Sequence, residues 1–355
     1  MKEGFIFLFI WLLTGARTAA QDKYTDSLLA IIADNKSDSS LTDAYTRLSI
    51  HYYETDPEKS IRYGSHALQY AESLKDNIRI ARACQSIGVA YDYKGDLDSC
   101  LYYLNRAAGI NRASGYVDKE SHIISDIALA HYLRGNYELA LRNHLAALRL
   151  REQFGDKKFI AISYNNIGLV HRSRKDYRNA IDYYKRSLQL KQEINDERGV
   201  LNTLINIGSA FQNDNAFDSA YAYATRALEL ARNLRLENDE IAAQSNMCAA
   251  MVNLGRVDEV LPVLAAIEKK SLAINERNSL LTIYESFGDA YKRKGDPVSA
   301  DRMYTKGLQL STLTKRREYM EVYLRKLAAL NYAAGKYQPA YEFAAKSRSI
   351  RDSLW

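Results

Sequence analysis

Only 4 prolines and 17 glycines punctuate a chain of 355 residues, and only 3 cysteines are present. So little proline and glycine disfavours a strand-and-turn fold, whose corners depend on both, and a helical chain is the expectation. Three cysteines exclude a disulfide framework. An excess of one charge is also missing: 49 basic and 43 acidic residues are interleaved, for a formal net charge of +6 and no basic tract. That pattern suits a solvated surface better than a nucleic-acid footprint. There is no phosphate-cradling glycine loop, no zinc-protease histidine pair and no nucleophile-elbow serine, so no catalytic residue, cofactor or metal is expected. What is abundant is apolar surface, 47% of residues against 26% charged, a folded composition that excludes disorder. The length exceeds the roughly 250–300 residues that one core usually serves, which points to several globules or a repeat array.

The first twenty residues read as an export signal. A charged start, Met1 to Gly4, leads into the apolar run Phe5 to Leu13, and the small residues Ala16, Ala19 and Ala20 precede the polar Gln21-Asp22. This is the layout of a secretory signal peptide, and the run is less than half the ~20 residues needed to span a bilayer. Cleavage is expected after Ala20, giving an exported chain in the periplasm or outside the cell. No cysteine stands near that point to carry a lipid. Residues 21–40 are expected to form a short helix, Tyr24 to Ala33, and a linker.

From there a 40-residue period runs to the end of the chain. Small residues recur at Gly88, Ala128, Gly168, Gly208, Cys248, Gly288 and Ala328, and again at Cys100, Ala140, Ala180, Ala220, Val260, Ala300 and Ala340. Between them stand Gly95, Gly135, Lys175, Asn215, Gly255, Gly295 and Gly335. Apolar residues ahead of this third series follow helical spacing, as in Ile167 and Val170. The glycine or asparagine supplies a left-handed residue that stops a helix, and Asp96, Asn136, Asp176 and Asp296 are placed to cap the next one. Each unit therefore reads as two antiparallel helices whose small residues allow close approach, and a large side chain at Gly208 or Ala220 is expected to overpack the pair.

The motif Ile167-Gly168, His171, Lys175-Asp176-Tyr177, Ala180, Tyr184 and Ser187 resembles the tetratricopeptide repeat. So do Ile207-Gly208, Phe211, Asn215-Ala216-Phe217, Ala220 and Ala227 in the next unit, and Gly88, Tyr91, Gly95-Asp96-Leu97, Cys100 and Ala107 earlier. The common family period is about 34 residues; the extra length here is expected to extend the helices and the link between units, as in the long-repeat subclass of kinesin-light-chain and spindle-adaptor proteins. The resemblance implies an all-α, right-handed α-solenoid, a superhelix of about eight hairpins over residues 41–355. Its units lie near 41–77, 78–117, 118–157, 158–197, 198–237, 238–277, 278–317 and 318–355, the first degenerate.

Two places depart from the pattern. The sixth unit has Cys248 and Val260 at small-residue positions and Pro262 in its second helix, so an irregular or kinked unit is expected there. The last unit stops at Leu354-Trp355 without the polar cap such arrays usually carry, which is read as a chain that continues or an end that a partner covers. A bridge between Cys84 and Cys100 is conceivable after export, although helix register sets them about a turn apart; all three cysteines otherwise read as small buried hydrophobes. His131 and His171 stand where tyrosine fills other units, and with His144 they are read as packing residues before metal ligands.

The inner wall of such an array is formed by the first helix of each unit. Helical spacing puts Asn165, Asn166, Arg172, Asn202, Asn206, Gln212, Asn213, Asn246, Asn253, Lys292 and Arg293 on it. Asn166, Asn206 and Asn246 are 40 apart, a ladder of amides suited to pairing with the backbone of an extended peptide; the alternative is that they pair with one another between units. The long-repeat subclass uses matching asparagines on peptides, and Arg172, Lys292 and Arg293 favour an acidic side chain or carboxylate in the ligand. The expected function is a non-catalytic scaffold binding a protein or peptide segment, without nucleic acid. It resembles the exported input region of Bacteroidetes-type signalling proteins, with a membrane involved only if the chain continues past Trp355. Alternatives are a glycan-uptake surface protein or a free-standing secreted assembly scaffold. For an enzyme, only Glu285 and Asp289, one helical turn apart, come close to a titratable cluster. Ligand identity and oligomeric state are not in the sequence.

Overall fold

A computed structural model describes residues 23–34 and 39–352, all helix and short turns with no strand among them. The export-signal segment 1–20, with its expected cleavage at Ala20, and the terminal Leu354-Trp355 lie outside the described residues. Contacts divide the chain into two compact units, Met1–Gly155 and Asp156–Trp355. In the first, α1 (residues 23–34) is followed by α2 (Ser39–Tyr52), α3 (Pro57–Ser73), α4 (Asn77–Lys94), α5 (Leu97–Ala113), α6 (Val117–Leu133) and α7 (Tyr137–Phe154). The second holds α8 (Lys157–Ser173), α9 (Tyr177–Glu193), α10 (Glu197–Asn213), α11 (Phe217–Asn233), α12 (Glu237–Asn253), α13 (Val257–Ala273), α14 (Arg277–Arg293), α15 (Pro297–Leu313), α16 (Arg317–Ala333) and α17 (Tyr337–Asp352). Within each unit every helix packs on its neighbours in sequence, the arrangement of an α-solenoid.

The backbone repeats at half the period of the side chains. Left-handed residues stand at Gly95, Gly135, Lys175, Asn215, Gly255, Gly295 and Gly335, and also midway between, at Lys75, Gly115, Gly155, Asn195, Arg235, Asn275 and Lys315. Both turns of a repeat are therefore built alike, and the link between hairpins is no longer than the link within one. The extra residues of the long repeat lie in the helices, most of which run 17 residues. Lys75, Arg235 and Lys315 adopt φ of 53 to 56°, a conformation that costs an L-residue roughly 1–2 kcal/mol; all three are exposed, so the side chain meets no further obstacle.

Aspartate starts many of these helices. Asp96, Asp176 and Asp296 accept a hydrogen bond from the amide three residues on, and so do Asp56, Asp76 and Asp196. Asn136 departs from expectation: it occupies the cap position of α7 without a side-chain cap bond, and the Tyr137 amide goes to the Gly135 carbonyl instead.

Small residues set how closely paired helices approach, but each works against a particular partner sixteen residues on. A methyl group on Gly168 would meet the Tyr184 ring at 2.7 Å, one on Gly288 the Tyr304 ring at 2.1 Å, and one on Gly88 the Leu104 side chain at 2.8 Å. At Gly208 the equivalent partner is Ala224, and the nearest atoms lie at 3.6 Å. The expected overpacking at Gly208 thus applies to large side chains only.

The sixth hairpin is irregular in its packing. Helix α13 runs unbroken through Pro262, whose missing amide costs only the bond to the Asp258 carbonyl in the first turn. With Cys248, Val260 and Leu264 all fully buried at the contact, α12 touches α13 less than helices do in other pairs and packs about equally on α14. The three cysteines are free and buried, Cys84 and Cys100 included. Burial pushes the Cys84 thiol up to about 11 and those of Cys100 and Cys248 to about 12, so all three are inert core side chains.

Candidate functional site: two inner faces of different chemistry

In the second unit α8, α10, α12, α14 and α16, with the turn after α10, enclose a cavity of about 750 Å³. Of the residues expected on the inner wall, Arg172, Gln212, Asn213, Asn246 and Asn253 line it, joined by Ser209, Thr282, Glu285, Asp289, Tyr319, Arg325 and Lys326. Asn165, Asn166, Asn202, Asn206, Lys292 and Arg293 do not. Asn206 spends its amide on the Asn165 carbonyl oxygen at 3.1 Å, Arg293 turns back onto Asn253 at 3.2 Å, and Asn202 and Lys292 are exposed. Asn246 donates to the Ser209 hydroxyl at 3.5 Å, and Gln212 to the Ala249 carbonyl at 3.4 Å. Much of the amide ladder thus pairs between units. Arg172 is different. It is half-buried on the cavity wall, has no ion-pair partner among the described residues, and lies near enough to Tyr319 on α16 to oppose the rise that burial causes in that phenol's pKa.

Sequence reading missed the α16 wall because it looked for rungs at a separation of 40. Three of the rungs that form between first helices run at 41, Gln85 to Asp126, Asn165 to Asn206, and Glu285 to Lys326, while Arg293 to Asn253 runs at 40 and Asn246 to Ser209 at 37. A search for complementary polar pairs one residue beyond the period would have found Lys326. Its ammonium sits 3.1 Å from Glu285 Oε1 and 2.6 Å from Asp289 Oδ2. The Tyr304 hydroxyl donates to Asp289 Oδ1 at 2.6 Å. The two acids that come closest to a titratable cluster are therefore engaged by a lysine from the next hairpin.

The first unit presents another kind of surface. A cavity of about 570 Å³ lies against α2, α4 and α6, bordered by Ile50, Tyr53, Val89, Tyr93, Leu129 and Leu133. Positions 53, 93 and 133 carry Tyr, Tyr and Leu, whereas the same register in the second unit carries Ser173, Asn213 and Asn253. On its floor Gln85 donates to Asp126 Oδ2 at 2.7 Å. Burial pushes the Asp126 carboxyl up to about 6, against smaller opposing effects of Gln85 and Arg151. A carboxyl raised on folding binds its proton more tightly in the folded state, so its charged form lowers stability as pH climbs from about 4 to about 6. Asp126→Asn is accordingly expected to raise stability at pH 7.5 by about 2 kcal/mol, with the two chains converging near pH 4 when urea midpoints are compared.

His171 pairs with Asp176 at 2.9 Å and stacks on Tyr183; burial drives His144 down to about 4 and lowers His131. Among the described residues no group of three His, Cys, Asp or Glu is arranged to hold a metal, and no helix is long and apolar enough to cross a membrane.

The paired, stacked helices with small residues at their contacts are those of tetratricopeptide repeats. The tetratricopeptide-repeat family profile matches residues 81–114, 120–193 and 159–233, so this stretch of the chain carries tetratricopeptide repeats. Its architecture is similar to that of the apo form of RapI, with a TM-score of 0.64 and 15% identity over 82% of this chain and 80% of that one. It is also similar to the apo form of the quorum sensor NprR from B. thuringiensis, at 0.61 and 14% over 94% and 99%. A third similar structure is a Rap protein complexed with Competence and Sporulation Factor, at 0.55 and 16% over 100% and 89%. At these identities the likeness is one of fold. No curated protein matches the sequence.

Proposed function

We propose that the cavity of the second unit receives a protein or peptide segment, and that the chain is a non-catalytic scaffold. The observation that carries this is Arg172, a cation without an ion-pair partner among the described residues, on a wall that mixes amides and hydroxyls with Phe217, Val252 and Val322, the ion-paired Glu285, Asp289 and Lys326, and Glu318 at its edge. Such a wall offers donors and acceptors to a backbone and one charged anchor to a carboxylate. Glu285 and Asp289, held by Lys326, act as wall rather than as acid and base. The solved complex of a Rap protein with Competence and Sporulation Factor gives a precedent for a partner bound by this fold. The signal-like start of the sequence supports an exported protein, and with it a place as the extracytoplasmic input region of a bacterial signalling protein.

A photo-crosslinking residue in place of Asn213, activated in the source cells, tests the groove. A protein adduct that disappears on adding Arg172→Glu, with Tm unchanged within a few degrees, is the expected result. An adduct indifferent to Arg172→Glu, or none, overturns it. Amino-terminal sequencing of the native protein is expected to begin at Gln21; a chain still starting at Met1 would remove the export reading and leave the groove untouched.

A further inference from the structure

The inner face of the first unit has features that packing does not require. Leu133, Tyr93, Ile50 and Leu129 are 60, 51, 47 and 45% exposed around one cavity, a concentration of large apolar side chains that marks an interaction surface. The charges beside it are unevenly matched. Asp92 is paired with Arg134, and Arg82 lies 3.6 Å from Asp43. Asp126, on the floor, has Gln85 as its hydrogen-bond donor and no cation in ion-pair contact among the described residues. The cavity thus combines an apolar rim with one acid whose hydrogen-bond donor is a neutral amide and whose charge Arg151 offsets only in part.

We propose that this cavity is a second recognition site, separate from the groove of the second unit, for a protein segment that presents a large apolar side chain beside a lysine or arginine. The apolar group fills the space between Tyr93, Leu129 and Leu133, and the cation reaches Asp126. Charge decides between occupants. An acidic segment would set a second carboxylate against Asp126. A second copy of the chain meeting face to face would bury two such acids with only the two Arg82 side chains, each already shared with Asp43, to offset them, at a cost that apolar contact does not recover. An anionic lipid surface is opposed on the same ground. A basic and apolar segment satisfies both halves of the site.

The test uses the full chain and an array of 15-residue peptides in which leucine or phenylalanine neighbours lysine or arginine. A matched array carries glutamate at every basic position. Retention of the basic peptides over the acidic ones is expected. The best binder, followed by fluorescence polarisation, should lose at least about tenfold in affinity with Leu133→Ser and with Asp126→Asn, and nothing with Arg172→Glu. Asp126→Asn is expected to fold at least as well as the parent, so its loss of binding cannot be ascribed to unfolding. Equal retention of both arrays, no retention of the basic peptides, or indifference to both cavity variants overturns the proposal. So does a concentration-dependent dimer in sedimentation that Leu133→Ser abolishes, which would give the face to a second copy, or binding to phosphatidylglycerol vesicles that the same variant abolishes.

Discussion

Gly288→Ala is expected to destabilise the protein by about 3 kcal/mol, at the upper end for overpacking a core by one carbon. The added methyl would meet the Tyr304 ring at 2.1 Å. Tyr304 cannot swing aside, because it is fully buried and its hydroxyl is held by Asp289. Gly208→Ala, the same change two hairpins away, should be neutral or raise stability by roughly 0.5–1 kcal/mol, since alanine is the better helix former and the nearest atoms leave it room. Urea unfolding of the two variants side by side decides the matter. Equal effects would mean that the partner sixteen residues on does not govern the small position. Shortening the partner, in Gly288→Ala with Tyr304→Leu, should recover part of the loss relative to Tyr304→Leu alone.

Lys326→Met is expected to cost about 2–3 kcal/mol, somewhat below the range for breaking a fully buried ion pair, because Glu285 and Asp289 keep 29 and 27% exposure. The loss comes from two carboxylates left facing each other. Adding Glu285→Gln and Asp289→Asn should therefore return most of it. Burial alone would lower the Lys326 pKa, but the two carboxylates outweigh burial and hold it above the ordinary lysine value. A lysine raised on folding gives stability that is complete at neutral pH and is lost as pH climbs past about 10.4 and through the folded value. The gap between parent and Lys326→Met, measured by thermal melts, should be wide at pH 7 and narrow in alkali. A gap that stays constant with pH would show that the ammonium charge contributes nothing.

Residues such as Gly88, Gly168, Ala180 and Ala300 made the fold legible, because close helix contact tolerates few alternatives and the tolerated residues recur at a fixed interval. The turns were half legible. Gly95, Gly135 and Gly335 announce themselves, whereas Lys75, Arg235 and Lys315 adopt the same backbone with side chains that give no sign of it. The site was read less fully. Arg172, Gln212, Asn213, Asn246 and Asn253 could be placed by helical spacing within one helix. Tyr319 and Lys326 could not, because what brings them to that wall is the stacking of hairpins. The apolar rim of the first unit, with Tyr53, Tyr93 and Leu133 in one register, does not stand out in a chain of 27 tyrosines, many of which fill helix contacts.

The evenly spaced left-handed turns bear on how the array gives way under load. In the first unit α3 leans on α4 as extensively as on α2, and the links on either side are alike in length and conformation. Further along, a seam between hairpins appears: α5 packs less extensively on α6 than on α4, and α15 less on α16 than on α14. Tension applied along the chain is therefore expected to part hairpins from one another first, each release freeing one hairpin with its link, about 140 Å of extended contour.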